Sequence, residues 1–256
     1  MAEPGTRRIR LLVEYDGTGL CGWQRQDNGP TVQGHLEQAL AELLGTKTGT
    51  TGASRTDAGV HALGQVVHFD TAHPTIPPHG IRKALNTALP DQIAIIEAVQ
   101  VADDFHARFD SHGKHYRYRV LSRPSRSGLD RHRNWHVDYP LDTSAMRAAA
   151  AQLVGEHDFT SFRAAGCTAK TATRKVTAID IKDQGERIVV HVRGNAFLRN
   201  MVRIIAGTLV EVGAGRRAPD SLAELIAARD RPRAGRTAPA AGLTLMRVFY
   251  PGDPPG

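Results

Sequence analysis

The irregular exchange of hydrophobic period along the chain constrains its fold more than any other feature. Strand-like stretches, apolar throughout or alternating at period two, are interspersed with stretches in which apolar residues recur every three to four, as on a helix face. Residues 9–15 form a compact apolar run closed by Asp16-Gly17, which predicts a buried strand and a turn. Thr31-Val32-Gln33 opens a helix with Val32, Leu36, Ala39, Leu40 and Leu43 on one face and Gly45 as its C-cap. Strands are expected at 66–69 and 93–101, with a short helix at 80–88 between them. Residues 115–121 alternate, with Tyr116, Tyr118 and Val120 on one face and Arg117 and Arg119 on the other. The pattern then predicts a helix at 143–153 and a hairpin of 176–183 with 187–193 around Gln184-Gly185. An amphipathic helix at 197–212, a helix at 221–228 and a last strand at 243–250 follow. Regular β-helix-β alternation is missing, so the expectation is an α+β fold with a largely antiparallel sheet. Residues 122–128, polar and proline-containing, read as a surface loop.

Composition narrows the function classes. The 256 residues are 41% hydrophobic and 23% charged, ordinary for a soluble globular protein. The first ten residues do not read as a signal peptide, and no apolar run approaches the ~20 residues of a membrane span, so no membrane partner and a cytoplasmic location are expected. Lys and Arg outnumber Asp and Glu by 33 to 26, a net charge of +7 that suits a polyanionic partner. Arginines cluster at 7–8, 131–133, 216–217 and 229–236, as candidate nucleic-acid contacts or as solvated faces. Cys21 and Cys167 stand far apart and form no CxxC pair, so neither a disulfide framework nor a zinc site is expected. His132 and His136 are spaced like helical metal ligands, but residues 134–137 read as strand and no third ligand accompanies them.

The chemically informative segment is Ala53-Ser54-Arg55-Thr56-Asp57-Ala58-Gly59-Val60-His61, read as a turn between a helix and a strand. A carboxylate beside Arg55 would stay ionised, as covalent attack on an electron-poor carbon requires. On spacing alone the residues fit better a turn in which Asp57 accepts backbone N–H bonds and Arg55 is a surface partner, since Asp and Gly are ordinary turn residues.

A resemblance separates the two. Tyr15-Asp16-Gly17, Gly22-Trp23-Gln24-Arg25-Gln26, Thr31-Val32-Gln33 and Arg55-Thr56-Asp57-Ala58-Gly59-Val60-His61 are similar to the N-terminal half of the tRNA pseudouridine synthase A (TruA) family. The likeness continues through Gly64-Gln65-Val66-Val67, Asp104-Phe105-His106-Ala107-Arg108-Phe109 and Tyr116-Arg117-Tyr118. It resumes at Gly155-Glu156-His157-Asp158-Phe159-Thr160-Ser161-Phe162, Asn195-Ala196-Phe197 and Met201-Val202-Arg203, and closes at Ala238-Pro239 with Gly242-Leu243. Three positions depart from the family's pattern: Ser54 where Gly is frequent, Leu20 where an aromatic is common, and Leu63 where Thr is frequent. None of the three is an active-site group.

The resemblance implies a pseudouridine-synthase fold, two α/β halves sharing a mixed, mainly antiparallel sheet with a basic central cleft. Residues 1–105 would carry the catalytic Asp loop, and 106–256 the substrate tyrosine and the Arg203 helix. It implies isomerisation of uridine at positions 38, 39 and 40 of the tRNA anticodon stem-loop by a homodimer that needs no metal or other cofactor. Asp57 matches the nucleophilic aspartate, Arg55 and Arg203 match basic residues near it, and Tyr116 matches the tyrosine that contacts the base. Tyr118, Trp23 and Phe159 are expected to be structural. Whether Asp57 attacks C1′ or C6, or deprotonates C2′, stays open. Two other classes compete: a non-catalytic RNA-binding protein, and an aspartyl-phosphate phosphotransferase, which would want further carboxylates for Mg²⁺ beside Asp57.

Overall fold

The computed structural model describes residues 5–73 and 75–253; Met1–Pro4 of the N-terminal stretch read above lie outside the described residues. The chain forms two compact units, Met1–His112 with Leu245–Pro254, and Gly113–Thr244 with Pro255–Gly256. This division differs from a boundary at 105/106 because residues 106–112 are tied to the first unit. The Tyr250 hydroxyl donates to the Ala107 carbonyl at 2.6 Å, Nδ1 of His68 accepts the Ala107 N–H at 3.1 Å, and the His112 N–H meets the Phe249 carbonyl at 3.0 Å.

In the first unit β1 (Arg7–Tyr15) pairs antiparallel with both β3 (His61–Thr71) and β4 (Ile93–Val101), and β2 (Thr51–Gly52) pairs with β3. Two helices accompany them, α1 (Val32–Leu44) and α2 (Pro78–Ala88). Ile9, Leu11 and Val13 of β1, Leu36 and Leu40 of α1, and Ile81 and Leu85 of α2 have no exposed surface. Each such side chain contributes about 1.5–3 kcal/mol on burial. The expected signals at the ends of α1 are in place: Oγ1 of Thr31 accepts the Gly34 N–H at 3.1 Å, and Gly45 is left-handed at φ 69°. Pro78 occupies the first turn of α2, where its missing N–H costs nothing. From the last turn of α2, Asn86 donates to the Ile95 carbonyl at 2.9 Å and accepts the Ile95 N–H at 2.7 Å.

In the second unit β5 (Gly113–Ser122) pairs antiparallel with β9 (Arg187–Gly194), β9 with β8 (Thr173–Gln184), and β8 with β7 (Gly155–Asp158). The short β6 (Trp135–Val137) runs parallel to β5. Helices α3 (Thr143–Ala151), α4 (Met201–Gly213) and α5 (Leu222–Ala228) complete the unit; β10 (Leu243–Phe249), the last strand, belongs to the first unit from Leu245 on. The strand pairing is therefore mixed and mainly antiparallel, in the α+β class expected. The hairpin turns one residue later than expected: Gln184 faces Arg187, leaving Gly185 and Glu186 in the turn with Gly185 at φ 73°. Helix α4 begins at Met201 rather than 197, because Asn200 adopts φ 61°, a left-handed conformation that a right-handed helix cannot include. His136 lies on β6 with its Nε2 at 2.8 Å from the Arg123 carbonyl. Among the described residues no His, Cys, Asp or Glu cluster could hold a metal, and no helix is long and apolar enough to cross a membrane.

Candidate active site

Residues 53–60 join β2 to β3, so the segment follows a strand, not the helix expected. Thr51-Gly52 pairs with Val67-His68 before the chain turns. The loop is held by partners distant in sequence. The Ser54 N–H donates to Oε1 of Gln65 at 3.1 Å, and Nε2 of Gln65 returns a bond to the Ser54 carbonyl at 2.6 Å. Gln65 is wholly buried, so both ends of its amide are satisfied by the loop it fixes. Oγ1 of Thr56 meets the Tyr15 hydroxyl at 2.8 Å, and the Thr56 carbonyl accepts the Trp23 N–H at 3.1 Å.

Asp57 opens a tight turn in which its carbonyl accepts the Val60 N–H at 3.1 Å, with Gly59 at φ 77° in the third position. The stretch 17–23 lies directly against this turn. A Cβ on Gly17 would stand 2.2 Å from the Val60 carbonyl oxygen, and one on Gly22 2.5 Å from that of Thr56. Only glycine permits such an approach. The outcome is a half-buried Asp57 whose backbone is fixed on both sides, between the exposed Arg55 and Ala58. Arg55 is exposed and forms no ion pair among the described residues. His61 is buried at the start of β3, with Nδ1 3.1 Å from the Gly17 nitrogen and 3.1 Å from Oδ1 of Asp16. Accepting the Gly17 N–H requires an unprotonated Nδ1, and then the Asp16 contact is not a hydrogen bond.

Tyr116 and Arg203 belong to the second unit. Tyr116 lies on β5 opposite Val192, 6% exposed, with the Phe197 ring set edge-on at 5.3 Å. Two residues on, Tyr118 has no exposed surface and donates to the Pro239 carbonyl at 2.7 Å. Burial pushes the Tyr118 phenol well above the ordinary tyrosine range. A Cβ on Gly242 would stand 2.5 Å from its ring, so Tyr118 is packed as the alternation predicts for a structural residue. Trp23 and Phe159 are likewise buried, at 2% and 0% exposure. Arg203, in the first turn of α4, is half-buried; its Nε donates to the Ala238 carbonyl at 2.7 Å and its Nη1 to Oδ1 of Asn200 at 2.9 Å. The left-handed Asn200 that delays the helix thus also holds the guanidinium.

The sequence reading did not single out the anchors Tyr15, Thr56 and Gln65. A signal for Gln65 existed: a glutamine between Gly64 and Val66-Val67-His68-Phe69 sits inside a buried strand, where an amide must find partners.

Residues 11–110 and 149–251 match the family model described as tRNA pseudouridine synthase. A "tRNA pseudouridine synthase A" from Syntrophotalea carbinolica is 51% identical over 242 residues, covering 94% of this chain and 96% of its own. The protein of that name from Myxococcus xanthus is 49% identical, covering 97% and 94%, and that from Rhodospirillum rubrum is 48% identical, covering 96% and 88%. The chain belongs to the tRNA pseudouridine synthase family.

Proposed function

We propose that this chain isomerises uridine to pseudouridine at positions 38, 39 and 40 in the anticodon stem-loop of tRNA, with Asp57 as its catalytic carboxylate. The observation that carries the reading is the Asp57 turn itself, fixed by buried bonds from Tyr15 and Gln65 while Asp57 stays half-buried. A carboxylate that must meet one carbon atom needs a backbone that does not wander. Isomerisation breaks the N1–C1′ bond, turns the uracil, and forms a C5–C1′ bond; C5 loses its proton and N1 gains one. The target nucleotide first leaves its stack, at a cost of a few kcal/mol. Asp57 then attacks C1′ or C6, or removes the C2′ proton. Arg55 and Arg203 supply the cations that favour an ionised carboxylate at Asp57. Tyr116 stacks on the base and assists loss of the C5 proton. No metal or organic cofactor enters this scheme, since uracil itself accepts the electrons.

The protein acts on tRNA as a homodimer in the cytoplasm. Incubation with unmodified tRNA followed by pseudouridine mapping tests activity and position together. Binding without product would favour the non-catalytic RNA-binding reading. Loss of activity with EDTA would favour the Mg²⁺-dependent phosphotransferase.

A further inference from the structure

Residues 123–134, which join β5 to β6, carry Arg123, Arg126, Arg131 and Arg133. The loop is shaped by its own bonds. Nε of Arg123 donates to the Ser125 carbonyl at 2.7 Å, the Asp130 N–H to Oγ of Ser127 at 3.0 Å, and Nδ2 of Asn134 to the Asp130 carbonyl at 2.8 Å. The carboxylates at its base are already engaged: Arg123 pairs with Glu186 at 2.9 Å and Arg187 with Asp130 at 3.3 Å. Arg126 and Arg131 are exposed and form no ion pair among the described residues. Between them Leu129 is 99% exposed. A single exposed apolar side chain is ordinary. Here the loop presents one between two guanidiniums that form no ion pair among the described residues, Nη1 of Arg131 donating to the Gly128 carbonyl at 3.1 Å.

Position along β5 says which part of a bound RNA such a loop could meet. Ser122, where the strand gives way to the loop, lies six residues beyond Tyr116, and an extended strand covers roughly 20 Å in that distance. That is too far for contact with a nucleotide held at Tyr116. We propose that this loop is a second RNA contact, in which Arg126 and Arg131 meet phosphates and Leu129 rests on the sugar and base edges of tRNA outside the anticodon stem-loop. This rests on the reading of the chain as a tRNA isomerase. Two cations whose neighbouring carboxylates are engaged by other arginines complement a phosphate backbone, and the wide, shallow minor groove of A-form RNA admits an apolar side chain against its riboses.

The test compares wild type, the double variant Arg126→Ser/Arg131→Ser and Leu129→Ser. Dissociation constants are measured on full-length unmodified tRNA and on the isolated anticodon stem-loop across a salt series, with pseudouridine formation on both RNAs. The double variant should bind full-length tRNA about tenfold more weakly, with a salt slope shallower by about 1–2. Leu129→Ser should lose about threefold to tenfold. Both should bind and convert the stem-loop within about twofold of wild type. Unchanged affinity for full-length tRNA overturns the proposal, as does an equal loss on both RNAs. A changed mass in solution without any change in RNA affinity also overturns it, and assigns the loop to a protein partner. Wild type that binds both RNAs yet forms no pseudouridine overturns the catalytic reading instead, and leaves the affinity comparison interpretable.

Discussion

Two loops of this protein are ordered by opposite means. The loop carrying Asp57 is fixed from outside, by Tyr15 and Gln65, 41 and 11 residues from their partners. The loop between β5 and β6 is shaped mainly by bonds between residues two to four apart, such as Arg123 to Ser125 and Asn134 to Asp130. Long-range buried bonds fix a loop relative to its scaffold; local exposed ones fix only its own form. The first suits chemistry, where a misplacement of about 1 Å costs about 10²-fold. The second suits electrostatic binding, which tolerates adjustment.

Substitutions can break or sharpen this contrast. Asp57→Ala should lower turnover by about 10⁴-fold or more while tRNA affinity stays within several-fold, as measured by pseudouridine formation and filter binding. Clear product from the purified variant would sink the assignment. Arg203→Ala should lose about 10²–10³-fold in turnover, with Arg203→Lys retaining more, because Lys keeps the charge without the planar fork. Equal rates for Arg203→Ala and wild type would remove Arg203 from the chemistry.

Gln65→Leu tests the external anchoring directly. It removes the two bonds that Gln65 makes with the Ser54 backbone, so we expect a stability loss of about 1–3 kcal/mol in denaturant titration and about 10²-fold slower turnover with Asp57 untouched. Full activity would mean that the Asp57 turn holds its place without Gln65. Tyr116→Phe keeps the ring and deletes the hydroxyl, so single-turnover rates should fall by at least about tenfold while affinity survives. Tyr118→Phe should leave turnover near wild type and lose about 1 kcal/mol of stability with the bond to Pro239. A larger kinetic loss in Tyr118→Phe than in Tyr116→Phe would exchange the roles of the two tyrosines.

The smallest effect belongs to the self-tied loop. Ser127→Ala removes the acceptor of the Asp130 N–H in a half-buried bond between residues three apart. Stability should change by no more than about 0.5 kcal/mol, and conversion of the isolated stem-loop should be unaffected. A loss comparable to that of Gln65→Leu would erase the distinction between the two loops.

What the sequence disclosed follows the same division. Local signals were legible: the Thr31 cap, Gly45 beyond α1, the alternation that separates Tyr116 and Tyr118 from Arg117 and Arg119, and the carboxylate-glycine turn at Asp57. Long-range ones were not. Nothing in the Thr51-Gly52 dipeptide announces a strand, since its pairing is decided by Val67 and His68 sixteen residues on. The start of α4 was misplaced because residues 197–199 continue the apolar helical pattern, while the left-handed Asn200 depends on surroundings that periodicity does not register. Which residues of the motif act and which only support it also escaped the local reading, as Gln65 illustrates.

Asn86 has a consequence for handling the protein at high concentration. Among the described residues β4 pairs only with β1, and such a border strand is a template on which chains stack into fibrils. By taking both the N–H and the carbonyl of Ile95, the Asn86 amide occupies the middle of that template. Asn86→Ala would reopen it, with turbidity on prolonged storage as the visible sign.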